Sequence, residues 1–248
     1  MKLLLGALLF LTIASCGTKK VVDYDGANTE ITSDYEDSSL DSIISPYTRE
    51  MEDNMNEVAG QASVTLEKQD PESPLGNFAA DAMYEAGLIL AKKSGEIDSN
   101  EMKKSLCLLN FGGLRAPILK GDITVGNVFE FMPFDNTLTL VKISAEKAKE
   151  MAYYLFEKHG QPVSNAKFQL SSDKQLMWIG GEAYAYDHDI IVITSDYLAN
   201  GGDKMSFFKD PIKKWDSGIL MRDIYIDYID ANRPLGDYKV EDRIMFIK

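Results

Sequence analysis

The chain has 248 residues, 45% of them hydrophobic and 26% charged, the composition of a globular protein that buries its own core without disulfide staples. Acidic residues outnumber basic ones 39 to 26, for a formal charge of -13, which argues against long nucleic acid as a partner, since that affinity comes from neutralised phosphates. Two histidines (His159 and His188) and two cysteines (Cys16 and Cys107) argue equally against a metal centre built on imidazole and thiolate.

Residues 1–16, MKLLLGALLFLTIASC, combine a positive Lys2, an apolar run from Leu3 to Ala14 and small residues before Cys16. The run is too short to span a bilayer as a stable helix. It resembles a bacterial lipoprotein signal, with Ile13-Ala14-Ser15-Cys16 in the place of the lipobox. That resemblance implies removal of residues 1–15 and lipidation of Cys16. The protein would then be exported and lipid-anchored to the bacterial cell envelope, on its periplasmic side or at the cell surface. A plain secretory signal and a buried N-terminal helix are the alternatives. Once Cys16 carries lipid, Cys107 is the remaining thiol and no intrachain disulfide can form. Residues 16–40 are polar and acidic, and are expected to form a flexible tether.

From residue 41 to 248 the chain reads as one domain. Ile43, Ile44, Tyr47, Met51, Met55 and Val58 follow a helical spacing, with Pro46 in the first turn and the Met51–Met55 stretch facing the core. Gln61–Lys68 alternates as a strand, and Leu75–Lys93 is a long helix ended by Ser94-Gly95. The apolar run Ser105–Phe111 is a buried strand opening into Gly112-Gly113. Val128–Met132 is a short helix or turn, Thr137–Ile143 a strand and Ala145–His159 a helix. Phe168–Leu170 and Leu176–Ile179 form a hairpin, and Asp189–Ser195 is another buried strand. A final helix over Asp216–Asp230 precedes a last strand at Arg243–Ile247. Helices and strands interleave, yet several strands lie close enough in sequence to pair antiparallel. This predicts an α+β fold, a mixed β-sheet flanked by helices.

Four segments carry chemistry. In Glu72–Met83, Ser73-Pro74 can open a helix, and Asn77 and Asp81 share one face at i, i+4. In Asn110–Arg115, a strand end followed by two glycines exposes backbone N–H groups, and Arg115 adds a bidentate cation suited to phosphate or carboxylate. Met132-Pro133-Phe134-Asp135-Asn136 sets an aromatic ring beside an amide, the combination that stacks on a purine and bonds its edge. Ser195–Asp203 places a second ring, Tyr197, a Gly-Gly turn and the Asp203 carboxylate directly after a buried strand. Taken singly, each is ordinary turn chemistry.

Together and in order, the stretches LGNFAADAM, NFGGLRAPILKGDIT, MPFDN and DYLANGGD resemble the C-terminal, substrate-binding domain of the 5'-nucleotidase family. The resemblance covers essentially 41–248. It implies that Phe134 and Tyr197 sandwich a nucleobase, Tyr197 standing where the family usually has Phe. It also implies that Asn136 contacts the base edge, Asp203 holds the ribose hydroxyls with Asn110 nearby, and Arg115 reaches the phosphate. The partner is then a nucleoside or nucleotide.

Departures from the family pattern shape the functional expectation. The family's metal ligands sit in a separate calcineurin-like domain whose histidine-rich motifs are missing here, so no cofactor is expected in this chain and no residue in it is expected to be catalytic. The arginines that the family places before Glu72 are replaced by Lys68-Gln69-Asp70-Pro71, a point charge rather than a fork. Ser171-Ser172 stands where the family tends to have a base-contacting Gly. Both histidines are expected at the surface. The expected function is the substrate-recognition half of a split 5'-nucleotidase, acting in nucleotide catabolism with a separate metallophosphatase chain that holds the divalent metal. The alternative is a non-catalytic envelope lipoprotein that binds nucleosides or nucleotides.

Overall fold

A computed structural model describes residues 28 and 38–247, so Cys16, the expected signal and nearly all of the expected tether lie outside the described residues. The first half of the chain runs α1 (Ser38–Asn56), β1 (Val58–Ala62), α2 (Pro74–Ser94), α3 (Ser99–Lys103), β2 (Ser105–Leu108), β3 (Gly121–Thr124), α4 (Val125–Phe131) and β4 (Thr137–Ile143). There follow α5 (Ala145–Glu157), β5 (Val163–Ser164), β6 (Ala166–Leu170), β7 (Gln175–Ile179), β8 (Glu182–Tyr184) and β9 (Ile190–Ser195). The last elements are α6 (Asp196–Ala199), β10 (Lys213–Leu220), α7 (Met221–Ala231) and β11 (Ile244–Phe246). The chain divides after Pro46, inside α1, and the architecture below belongs to the part that follows.

The central sheet has the order β10-β4-β9-β2-β5. Strands β2 and β9 are parallel, whereas β4 is antiparallel to β9, and β10 and β5 are antiparallel to their neighbours. This is the mixed sheet expected of the α+β class. A second sheet, β11-β6-β7-β8, and a β1-β3 pair complete the set.

Every residue of β2 and β9 is buried, which is why both read as unbroken apolar runs. Their side chains alternate between two cores. Leu106, Leu108, Val141 and Val192 join Met151 and Leu155 of α5 and Phe168 of β6. Cys107, Leu140, Ile191 and Ile193 join Phe78 and Met83 of α2 and Tyr225 of α7. Burial holds the Cys107 thiol protonated, so it serves as a packing residue.

Helix α2 begins as expected. Ser73 Oγ accepts from Gly76 N at 2.9 Å, Pro74 takes the first helical position, and Gly95 (φ 64°) caps the other end in the left-handed region. The side chains of its first turns meet the C-terminal segment. Asn77 Nδ2 donates to Glu72 Oε1 (2.7 Å), and the Glu72 carboxylate accepts from the backbone N–H groups of Glu241 (2.8 Å) and Arg243 (2.6 Å). Asp81 receives both Nη groups of Arg243 at 2.7 and 2.8 Å, and the Ser164 hydroxyl at 2.5 Å. Arg243 also donates to Val163 O and Glu241 Oε2. The Glu72–Met83 segment therefore staples β11 to α2 and β5.

Three sequence expectations are corrected. Helix α1 buries none of its residues, so Met51–Met55 does not face the core, and Pro46 sits inside the helix rather than in its first turn. The strand expected over Gln61–Lys68 is β1, at Val58–Ala62, with Leu66 making only an isolated bridge to Ile118. The final helix starts at Met221 rather than Asp216, because residues 213–220 form edge strand β10. There Trp215 pairs with Leu140, the Thr139 hydroxyl donates to Asp216 Oδ1 (3.1 Å), and Gly218 at φ 69° cannot continue a helix.

The Arg243–Asp81 pair is mostly buried, with side-chain exposures of 10% and 24%. Removing one partner leaves an uncompensated charge, so Asp81→Ala should lower the unfolding free energy by about 3 kcal/mol. Urea denaturation measures it; a loss below about 1 kcal/mol would show that the guanidinium is satisfied without Asp81.

Candidate functional site

Because β2 and β9 are parallel, their C-terminal ends reach the same sheet edge, and antiparallel β4 begins there. Three loops meet at that edge. Asn110, Arg115, Phe134, Asn136, Tyr197 and Asp203 all line one cavity of about 340 Å³, together with Gly112 and Gly113. Every binding residue singled out from the sequence is in this group.

The first loop leaves β2 and makes a 3-10 turn over Phe111–Gly113. Phe111 N donates to Gln161 Oε1 (2.8 Å), and Arg115 N to Phe131 O (2.9 Å). Lys68 Nζ reaches Phe111 O (3.4 Å) and Leu114 O (3.3 Å), so it braces this loop from behind. Arg115 is exposed and also lines a second cavity of about 250 Å³ that it shares with Lys68.

The second loop, Met132–Asn136, is clamped by the start of α7. The buried Arg222 donates through Nη1 to Met132 O and Phe134 O, both at 3.3 Å, and through Nη2 to Asp135 Oδ1 at 2.6 Å. Its guanidinium lies 4.0 Å from the centre of the Phe129 ring. Met221 N donates to Asn136 O (2.9 Å). These bonds fix the turn that carries Phe134 and Asn136.

The third loop follows β9. Ser195 caps α6 through Leu198 N (3.2 Å), and Asp196 Oδ1 accepts from Tyr197 N (2.8 Å) and Thr137 N (3.0 Å). Asp196 thus ties the second loop to the third. The Tyr197 ring lies against Gly202, where an added Cβ would come within 2.5 Å of Cε1. Asp203 Oδ2 accepts from Asn110 Nδ2, and Oδ1 from the Tyr197 hydroxyl at 3.1 Å. Tyr154 donates to Asp203 O (3.0 Å). Burial first, then the nearby Asp203 and Tyr197, push the Tyr154 pKa up to about 12, so this donor stays protonated at neutral pH.

Phe134 and Tyr197 are 42% and 47% exposed, large rings left open at a cavity rather than packed away. The cavity therefore presents two aromatic faces, two amides, one carboxylate and one guanidinium. Among the described residues, no group of three or more His, Cys, Asp or Glu could hold a metal ion.

Other candidates lie elsewhere. Ser171 donates to Asp173 Oδ1 (2.8 Å) in the β6–β7 turn and does not line the cavity. His159 is exposed against Phe246, and the half-buried His188 pairs with Asp187 at 2.6 Å. Sequence reasoning assigned no role to Arg222, Asp196 or Tyr154. Arg222 did carry a signal: with Tyr225 and Ile229 it lies on the buried stripe of α7, where a charge needs partners.

Residues 56–152 match the family described as 5'-nucleotidase, C-terminal domain. Human 5'-nucleotidase is 25% identical over 249 residues, covering 85% of this chain and 41% of that protein. The trifunctional nucleotide phosphoesterase protein YfkN of Bacillus subtilis is 28% identical over 226 residues, covering 80% of this chain and 14% of that one. Over residues 56–152 the chain is thus similar to 5'-nucleotidase C-terminal domains. The crystal structure of a 5'-nucleotidase precursor from Thermus thermophilus shares the fold, with a TM-score of 0.68 at 23% identity over 86% of this chain and 44% of that one. The chain thus spans less than half the length of these relatives. The six residues named above come from three of the four stretches that carry the family likeness; the fourth, LGNFAADAM, serves the α2–β11 staple.

Arg222→Met keeps the side-chain stem but removes the donors to the second loop. The expected loss is about 2 kcal/mol, with faster amide exchange over residues 132–136. Exchange no faster than in the unaltered chain would show that Pro133 and Met221 hold the turn without Arg222.

Proposed function

We propose that this domain binds a nucleoside or nucleotide and is the substrate-recognition half of a split 5'-nucleotidase. The observation that carries the proposal is the convergence of Asn110, Arg115, Phe134, Asn136, Tyr197 and Asp203 on one cavity with two exposed rings. In this reading Phe134 and Tyr197 flank the base and Asn136 bonds its edge. The Asp203 carboxylate, oriented by Asn110, accepts from the ribose hydroxyls. Arg115 faces the phosphate from the boundary with the second cavity, where Lys68 adds a point charge. Hydrolysis of the phosphomonoester needs an activated water, which we assign to a metallophosphatase on a separate chain.

A second reading is a non-catalytic binder of nucleosides or nucleotides, held at the cell envelope by the lipid expected at Cys16. It is favoured by the single arginine among the described residues that line the cavity, which makes the phosphate contact thin.

Calorimetry with adenosine and AMP tests the shared core of both readings. Stacking on an aromatic ring contributes roughly 1–3 kcal/mol per base, so Phe134→Ala should weaken both ligands by about 10-fold or more. Equal binding by the variant would overturn the base assignment. Arg115→Ala should weaken AMP and leave adenosine unchanged. Phosphate release from AMP by a separately expressed calcineurin-like phosphatase, with and without this chain, divides the two readings. A gain in rate supports the split enzyme, and no gain leaves the binder.

A further inference from the structure

The ring at position 197 is a tyrosine, and its hydroxyl is built into the turn that carries Asp203. Asp203 adopts φ 49° and ψ 25°, with Gly201 at φ 88° and Lys204 at φ 66° beside it. A left-handed conformation is disfavoured for residues other than glycine and persists where the surroundings over-determine it. Here the Tyr197 oxygen accepts from Asp203 N (3.2 Å) and donates to Asp203 Oδ1 (3.1 Å). Tyr154 holds the carbonyl of the same residue, and Asn110 holds Oδ2. A phenylalanine would supply the same ring against Gly202 but neither of the Tyr197 hydrogen bonds.

We propose that the Tyr197 hydroxyl is a specificity-determining, positioning group: it sets the Asp203 carboxylate to accept a vicinal diol, so that the site selects ribose over deoxyribose. The proposal rests on the nucleoside reading above. A carboxylate has about four lone-pair positions. Asn110 takes one on Oδ2 and Tyr197 one on Oδ1, which leaves one on each oxygen for the two hydroxyls of a ribose. A 2'-deoxy sugar fills only one of them. The same tyrosine that stacks on the base therefore also orients the group that reads the sugar.

The test is calorimetry on the full chain with adenosine, 2'-deoxyadenosine and adenine, for the unaltered protein and Tyr197→Phe. The unaltered protein should prefer adenosine over 2'-deoxyadenosine by roughly 10-fold or more, as expected for one hydrogen bond to a charged group. Tyr197→Phe should reduce that preference to about 3-fold or less while adenine binding stays unchanged, because the ring is retained. An undiminished ribose preference in Tyr197→Phe would overturn the proposal, as would a parallel loss for adenine. Failure of the unaltered protein to bind adenosine would overturn the nucleoside reading and this proposal with it. Amide exchange at Asp203 reads the same contact without ligand. It should accelerate in Tyr197→Phe, and an unchanged rate would show that the hydroxyl does not hold the turn.

Discussion

The parallel pairing of β2 with β9, in a sheet where β4 runs the other way, is the constraint on which the site depends. Both strands are buried on two faces, so their register is strongly specified by the two cores they separate. Cys107 stands opposite Ile193, and Leu138 opposite Ser195. With those pairings made, the end of β2, the end of β9 and the start of β4 share one edge. Asn110, Asn136 and Asp203 are distant in sequence and are brought to one cavity at that edge.

Two arginines then do different work. Arg243 joins α2, β5 and the C-terminal strand, does not line the site cavity, and has its charge matched by Asp81 and Glu241. Arg222 holds a loop of the cavity through two carbonyls, a carboxylate and an aromatic face. Both guanidinium groups are taken up by acceptors within the protein. Arg115 differs from both: it is exposed, its own side-chain bond to Gly112 O is long at 3.4 Å, and it lies between two cavities. Its looser attachment is compatible with the proposed contact to a phosphate.

The cavity is over-determined where its chemistry is most demanding. Asp203 has partners on both carboxylate oxygens, on its N–H and on its carbonyl. Preorganisation of this kind reduces the ordering cost when a ligand binds. An acidic protein is also no obstacle to a ligand of this size. The net charge of -13 opposes a polyanion held over many phosphates, whereas the proposed nucleoside would be held by rings, amides and one carboxylate.

The buried elements and the site chemistry were legible in the residues. Runs such as SLCLLNF and DIIVITS read as buried strands, the Ser73-Pro74 start and Gly95 stop of α2 are local chemistry, and four stretches in order pointed to the six cavity residues. Edges and partners were not legible. β10 alternates too weakly to declare itself, because an edge strand is half solvated and is made by pairing with β4. The apolar spacing of Met51–Met55 marks a helix but does not say whether anything covers it. The i, i+4 spacing put Asn77 and Asp81 on one helix face but could not reveal that they serve a staple, since their partners Lys239 and Arg243 lie more than 160 residues away. Residue types and local order thus determined which chemistry was present. Tertiary packing alone decided which groups face one another, because a hydrogen bond depends on distance and direction in space, and sequence separation carries neither.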